Sequence, residues 1–316
     1  MIVRIFSDTG CFKPIETTNN ENVHYTQQFS TSISDIAERL YGRHKAIRLT
    51  NKNNYTHAVI LNYAMPEINI SAEYVIGFAH VSMRHIPPPI FIAYAQKHIG
   101  VYYVGDNNNN TNTALNRPFM QGRTFPLYSP PKCAPFPAIT RKIMSICATL
   151  KLHTPGQIYR RKLVSYILAS NLPIDIYGHG CIEYQSNAYN QGMIVDTRLC
   201  GSYPENDPSI MLDTYLFHVT VENYNSESQY TDKLINALVR GTVPVYKGSA
   251  AAINMYSDMM ISLCGNIKAD CALLSDICRD PMRFYRHVNV PQVIKNENLL
   301  MHLLTLYSAP PITYPS

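Results

Sequence analysis

Short apolar runs alternate with amphipathic stretches through most of the chain. In the first part, strands are predicted at residues 1–6 (MIVRIF), His57–Tyr63, Tyr74–Ala79 and Val101–Val104. Helical spacing occurs between them, at Ser34–Gly42 and Ile90–His98. Because helices and short apolar strands interleave regularly, we expect an α/β fold with a mainly parallel sheet that is covered on both faces.

The same alternation resumes in the second part of the chain. Strands are predicted at Ile143–Cys147, Ile174–Tyr177, Tyr215–Val221 and Val243–Tyr246. Helices are predicted at Gln157–Ala169 and at Ser228–Arg240, and Gly241 follows the second helix at the position of a left-handed C-cap.

Two irregular segments interrupt this pattern. Asp106–Asn116 is polar and aperiodic, which is typical of a surface loop. Ser129–Thr140 contains Pro130, Pro131, Pro135 and Pro137, so it can neither continue a helix nor form a central strand. We therefore predict a linker here, between a domain of residues 1–136 and a domain of residues 137–316.

Composition excludes several classes of protein. Hydrophobic residues make up 46% of the 316 residues, enough for two cores. No apolar run is long enough for a membrane helix or resembles a signal peptide, so we expect a cytoplasmic protein. The formal net charge is only +5 and the basic residues look scattered, which argues against a nucleic-acid-binding face.

The eight cysteines form no C-x-x-C motif. Cys264, Cys271 and Cys278 are spaced by seven, so the last two would share a helix face. We interpret them as small buried side chains in a reducing compartment rather than as metal ligands.

The segment Val221–Gly248 is the best candidate for chemistry. In parallel α/β sheets, ligands bind beyond the carboxyl ends of the strands, where the following helices begin. Here Ser226 and Gln229 have capping-box spacing, and Lys233 lies off the apolar stripe in the opening turns of the predicted helix. A helix N-terminus with a nearby lysine can bind a phosphate or diphosphate, although most such lysines are merely solvated.

This segment also resembles the donor-binding signature of the α1,3-fucosyltransferases, glycosyltransferase family 10. The pair Glu222-Asn223 matches the E-N pair of the family, and Thr231, Asp232 and Lys233 fall on its T-E-K motif. The closing G-x-x-P-V/I-x-x-G is matched by Gly241, Pro244, Val245 and Gly248. Upstream, residues 155–177 resemble the first helix and strand of the family's donor domain.

The resemblance implies a GT-B architecture, in which two Rossmann-like domains face each other across a cleft. The first domain would bind an acceptor glycan and the second a nucleotide sugar, GDP-fucose in this family. Fucose would be transferred to a glycan hydroxyl with inversion of the anomeric configuration. The enzyme implied is therefore an inverting fucosyltransferase-like glycosyltransferase.

The resemblance also implies roles for single residues. Arg160 falls on the arginine that contacts the donor diphosphate, and Lys233 would bind the same group. Glu222, Asn223 and Asp232 would bind the nucleoside or the sugar. The sequence contains no D-x-D motif, so a metal held by that motif is not available and we expect neither metal nor cofactor.

Three positions depart from the family pattern. Asp232 replaces a glutamate, and Gln229 replaces a tyrosine for which the neighbouring Tyr230 could substitute. The glutamate expected as general base is replaced by Val81, so His80 is our candidate base, with Glu73 more remote. Two alternatives stay open: a catalytically impaired protein that still binds glycan or GDP-sugar, and a glycosyltransferase for another nucleotide sugar.

Overall fold

The structure is a computed structural model, and it describes residues 1–8, 30–79, 88–105, 117–124, 140–185, 196–202 and 212–308. The chain divides into two compact units. The first unit comprises Met1–Leu127 and Ile294–Ser316, and the second comprises Tyr128–Val293.

Strands and helices alternate in both units, as the hydrophobic pattern predicts. The strands of the described residues are β1 (Ile2–Asp8), β2 (Ser30–Ser32), β3 (Arg48–Leu49), β4 (His57–Leu61), β5 (Val75–Phe78), β6 (Val101–Tyr103), β7 (Phe119–Met120), β8 (Lys142–Cys147), β9 (Ile174–Tyr177), β10 (Leu199–Gly201), β11 (Tyr215–Ser226), β12 (Val243–Ser249) and β13 (Ile261–Ser262). Their α-helices are α1 (Ser34–Tyr41), α2 (Pro89–His98), α3 (Pro155–Ala169), α4 (Asp232–Val239), α5 (Ala250–Tyr256), α6 (Ile267–Arg279), α7 (Pro281–Phe284), α8 (Val290–Asn296) and α9 (Leu299–Ser308).

The first unit contains a mainly parallel sheet. Its strands lie in the order β2-β1-β4-β5-β6-β7, with β3 paired to β1, and β2 is the antiparallel member. The side chains of Ala58 to Leu61 in β4 are all buried, because this central strand is covered on both faces. An aromatic cluster of Phe91, Tyr102 and Phe119 packs in the core beside them.

The second unit contains a parallel sheet in the order β10-β9-β8-β11-β12-β13. From β8 the chain continues outward through β9 and β10, and it then returns to place β11 on the other side of β8. The strand order therefore reverses between β8 and β11. In open α/β sheets, such a reversal leaves a crevice at the carboxyl ends of the two strands, where ligands bind.

One predicted helix begins later than its sequence pattern indicates. The segment from Ser228 does not start α4, because β11 extends to Ser226 and α4 begins at Asp232. The backbone N–H of Gln229 donates to Ser226 Oγ at 2.7 Å, so the predicted capping box closes a turn before the helix.

The polar segment 106–116 and all of the proline-rich segment except Thr140 lie outside the described residues.

The end of the described chain belongs to the first unit, whereas the predicted second domain extends to residue 316. The buried carboxylate of Glu297 forms an ion pair with Arg123 at 2.8 Å. The Asn298 side chain donates to the backbone oxygen of Tyr41 at 2.9 Å, and the Tyr307 ring meets His57 edge-to-face. These contacts join distant parts of the sequence, so hydrophobic spacing alone could not reveal them.

No helix within the described ranges combines the length and the apolar character that crossing a bilayer requires.

We expect the apolar face of α9 to stabilise the first unit. Leu303 is fully buried, whereas Met301 on the same helix is 42% exposed. Leu303→Ala should lower the free energy of unfolding by about 2–5 kcal/mol, because it removes buried methyl groups and leaves a cavity. The matched variant Met301→Ala should change it by less than about 1 kcal/mol. Urea unfolding of both variants tests this, and equal losses would contradict it.

Candidate functional site

Glu222 connects the end of β11 to the beginning of α4. Its Oε1 accepts a hydrogen bond from the backbone N–H of Thr231 at 2.9 Å, and its Oε2 accepts one from the Thr231 hydroxyl at 2.8 Å. Thr231 is the N-cap of α4, and its hydroxyl oxygen also accepts from the backbone N–H of Lys233 at 3.4 Å. The buried carboxylate of Glu222 therefore determines where the helix begins.

Two glycines allow this close packing around Glu222. A Cβ atom at Gly156, in the first turn of α3, would lie 1.9 Å from the backbone oxygen of Glu222. A Cβ atom at Gly248 would lie 2.5 Å from Glu222 Cγ. A side chain at either position would push the strand end away from its neighbours. Gly248, the last residue of the sequence signature, is therefore explained by the lack of space for a side chain at this position.

Arg160 extends from α3 towards the same strand end. A complete capping box between Thr154 and Gln157 fixes the start of this helix. The guanidinium donates to the backbone oxygen of Val221 at 2.6 Å and to Asn223 Oδ1 at 2.9 Å. Both of these acceptors are neutral, so neither hydrogen bond cancels the charge of this 7% exposed residue.

The Lys233 ammonium lies over the start of α4. Its Nζ donates to Thr231 Oγ1 at 3.2 Å and lies 3.9 Å from Glu222 Oε2. The side chain is 39% exposed, so a ligand in solution can reach it.

Arg160, Asp232 and Lys233 line one pocket of about 160 Å³ in the second unit. The rest of its lining comes from the end of β8, from β11 and from the helices around them: Cys147, Thr149, Leu212, His218, Val219, Thr220, Val221 and Asn236. The pocket thus lies where the strand order reverses between β8 and β11.

The other predicted donor-binding residues do not line this pocket. Glu222, Asn223 and Thr231 lie directly behind it and hold its cations through the hydrogen bonds given above. Gln229 and Tyr230 are buried in the segment before α4. His80, our candidate base, and Val81 lie outside the described residues.

His218 lines the pocket and was missed by sequence analysis. It lies on β11, and its Nδ1 is 2.8 Å from the hydroxyl of Ser145 on β8. Burial, and to a smaller extent the positive charge of Arg160, lowers its pKa to about 4. The available signal was a histidine in the otherwise apolar run YLFHVTV, but nothing in that run indicates which side chains it faces.

At the carboxyl edge of the first sheet, a side-chain pair joins β1 to the residue after β4. Asn62 Nδ2 donates to Asp8 Oδ2 at 2.6 Å. Asn62 has a left-handed backbone with φ of 55°, and its backbone oxygen accepts from the Tyr102 hydroxyl at 2.6 Å. Sequence analysis did not identify this pair, because the two residues are 54 positions apart.

The described residues contain no group of three or more His, Cys, Asp or Glu side chains placed to hold a metal ion. Cys271 and Cys278 both lie on α6, and neither forms a disulfide. Cys271 is buried and Cys278 is half-buried, but Cys264 is exposed, so the expectation of small buried side chains is wrong for Cys264.

Sequence comparisons give no match, either with protein-family models or with curated proteins. Comparison of structures matches TarM with a TM-score of 0.50 and 13% identity, covering 80% of this chain and 55% of TarM. An α1,3-fucosyltransferase with GDP matches with a TM-score of 0.47 and 12% identity, covering 88% of this chain and 85% of that enzyme. A UDP-forming trehalose-phosphate synthase of Burkholderia vietnamiensis matches with a TM-score of 0.47 and 10% identity, covering 80% of this chain and 72% of that enzyme.

The chain therefore spans little more than half of TarM, and at this identity the match to TarM shows the fold alone. Together with the two parallel-stranded units, it confirms the α/β GT-B architecture with two Rossmann-like domains.

We expect His218 to make stability depend on pH. Its pKa of about 4 in the folded chain lies below 6.5, the ordinary value for histidine, so the unfolded chain binds more protons between these values. The contribution of His218 to the free energy of unfolding is fully present above pH 6.5. It is lost as the pH falls towards 4, by up to about 3 kcal/mol.

Urea unfolding between pH 4.5 and 7.5 measures this effect. His218→Gln should flatten the pH dependence, whereas His179→Gln, at an exposed position, should leave it as in the wild type. Parallel curves for wild type and His218→Gln would show that His218 does not titrate in this window.

Proposed function

We propose that the chain is a glycosyltransferase that binds the diphosphate of a nucleotide sugar in the pocket of the second unit. One observation carries the proposal: Arg160 and Lys233 line the same pocket at the start of α4, where the strand order reverses. The residues are 73 positions apart in the sequence, and two rigid elements, α3 and α4, carry them.

This arrangement suits the chemistry of sugar transfer. When the glycosidic bond to the sugar breaks, the nucleoside diphosphate leaves with additional negative charge. Arg160 can contact phosphate oxygens in a bidentate manner, while Lys233 and the positive end of the α4 dipole add further stabilisation. Because both cations are already held by hydrogen bonds, little reorganisation is needed as the charge develops.

The carboxylates have a different part in the proposal. Asp232 lines the pocket and would repel a phosphate, so we assign it to the hydroxyl groups of the ribose or of the transferred sugar. Glu222 already accepts two hydrogen bonds from Thr231, and we assign to it mainly the positioning of Lys233 and the helix start.

GDP-fucose is the donor that we propose. The support is the resemblance of Glu222–Gly248 to the family 10 signature, together with the steric contact between its first and last members, Glu222 and Gly248. The acceptor in this proposal is a glycan hydroxyl. No metal or cofactor is part of the reaction we propose, since the sequence has no D-x-D motif.

The acceptor hydroxyl must lose a proton, and we keep His80 as the proposed base. Asp8 is a second group to test, because Asn62 fixes its carboxylate at the carboxyl edge of the first sheet. If neither residue acts as a base, the protein would bind glycan or GDP-sugar without efficient transfer. The valine at position 81 favours that second function.

We expect Arg160 and Lys233 to contribute directly to GDP affinity. Removing a hydrogen bond to a charged group costs about 1.5–3 kcal/mol, so Arg160→Ala and Lys233→Ala should each weaken binding about 10- to 150-fold. Lys162→Ala removes an exposed cation of α3 that does not line the pocket, and it should change affinity less than about twofold. Isothermal titration calorimetry tests this, and undiminished GDP binding by Lys233→Ala would refute the site.

Measuring turnover distinguishes a glycosyltransferase from a protein that binds glycan or GDP-sugar without efficient transfer. With EDTA, GDP-fucose and an N-acetyllactosamine-type acceptor, the wild type should release GDP in an acceptor-dependent manner. Loss of the general base should lower kcat about 10²- to 10⁴-fold without weakening GDP binding, so comparing His80→Gln with Asp8→Asn identifies it. GDP binding without turnover would support the function of binding without transfer. Turnover only with another nucleotide sugar would show that GDP-fucose is the wrong donor.

A further inference from the structure

One short segment of the first unit is locally rich in positive charge. Residues 39–52 contain five Lys and Arg residues and no Asp or Glu. The expectation of scattered basic residues is therefore wrong for this segment.

Part of this segment surrounds a second pocket, which lies between α1 and β3. The pocket has a volume of about 390 Å³ and is lined by Glu38, Gly42, Arg43, His44, Lys45, Ile47, Arg48 and Leu49. This volume lies within the range of small-molecule sites. All lining residues belong to the first unit and none to the candidate donor site.

The backbone of this pocket is fixed by local contacts. The N–H of Gly42 donates to the backbone oxygen of Glu38 at 2.9 Å, and Ile47 is buried beneath the loop. Two backbone N–H groups donate to His44: that of Ile47 to its backbone oxygen and that of Ala46 to its Nδ1, both at 3.1 Å. A neutral His44 therefore carries its proton on Nε2, as a hydrogen-bond donor.

The charges around the pocket are not balanced. Glu38 is the one carboxylate of the lining, and it pairs with Arg43. Lys45 and Arg48 form no ion pair with any residue that the structure describes. The carbonyl end of α1 offers only about half of a negative charge. Like charges held around one concave surface repel each other, and an anion bound between them would remove this repulsion.

We propose that this pocket binds a polyvalent phosphate, such as a diphosphate group, at a site separate from the candidate donor pocket. Guanidinium groups bind phosphate oxygens in a bidentate manner, and lysine adds a compact positive charge. Arg48 pairs with Ile2 at the start of β1, so the pocket lies at the amino edge of the sheet. Substrates of α/β sheets bind at the opposite edge, which makes this an accessory site. Its phosphate belongs either to a free molecule or to a lipid headgroup.

Pyrophosphate is the probe for the test, and amide NMR of the full chain locates its binding. The signals of Gly42 and Ala46 should shift in a saturable manner. The triple variant Arg43→Ala, Lys45→Ala, Arg48→Ala should weaken this binding at least tenfold. A charge-matched control, Lys151→Ala, Lys268→Ala, Lys295→Ala, removes three exposed cations elsewhere and should change it less than twofold. The double variant Lys45→Gln, Arg48→Gln replaces the triple variant if that chain fails to fold.

A sedimentation arm uses vesicles of phosphatidylcholine with phosphatidylglycerol to distinguish the two sources. Saturable pyrophosphate binding without sedimentation would support a free phosphate compound. Sedimentation that the triple variant abolishes and the control retains would support a lipid headgroup. Equal effects of the triple variant and its control, or absence of both kinds of binding, would overturn the proposal. Binding of an oligonucleotide but not of pyrophosphate would also overturn it, because it would indicate an extended basic surface.

Discussion

The hydrogen bonds from Thr231 to the Glu222 carboxylate are the constraint on which the second unit's candidate site depends. They fix the end of β11 against the start of α4, and the same strand end accepts the guanidinium of Arg160. Gly156 and Gly248 leave just enough space for this arrangement. Because strand end, helix start and guanidinium share these contacts, displacing one of them would move both cations of the pocket.

The electrostatics of the pocket follow from burial. Removing a guanidinium from water is costly, and Arg160 offsets part of this cost by donating hydrogen bonds to the Val221 backbone oxygen and to Asn223 Oδ1. His218 beneath it stays neutral at physiological pH, because a second positive charge there would be neither solvated nor compensated. In a poorly solvated pocket, an anion gains more from a fixed charge than it would in water.

The two pockets use positive charge in different ways. The donor pocket has two cations on helices, held by hydrogen bonds to the protein, and its selectivity would come from geometry. The cations of the pocket beside Arg48 lie on the loop after α1 and at the start of β3 and are exposed, so its attraction for anions would be more sensitive to salt.

The sequence alone determined the α/β class, most strand and helix positions, and Arg160 and Lys233 as candidates, because hydrophobic periodicity and short motifs are local properties. It placed the start of α4 too early, since the turn at Ser226 satisfies a capping pattern without beginning the helix. Tertiary structure alone decided that His218 and Arg160 line the same pocket and that the last helix joins the first unit. Such contacts join residues far apart in the chain, and their geometry depends on how strands and helices pack, which no local pattern records.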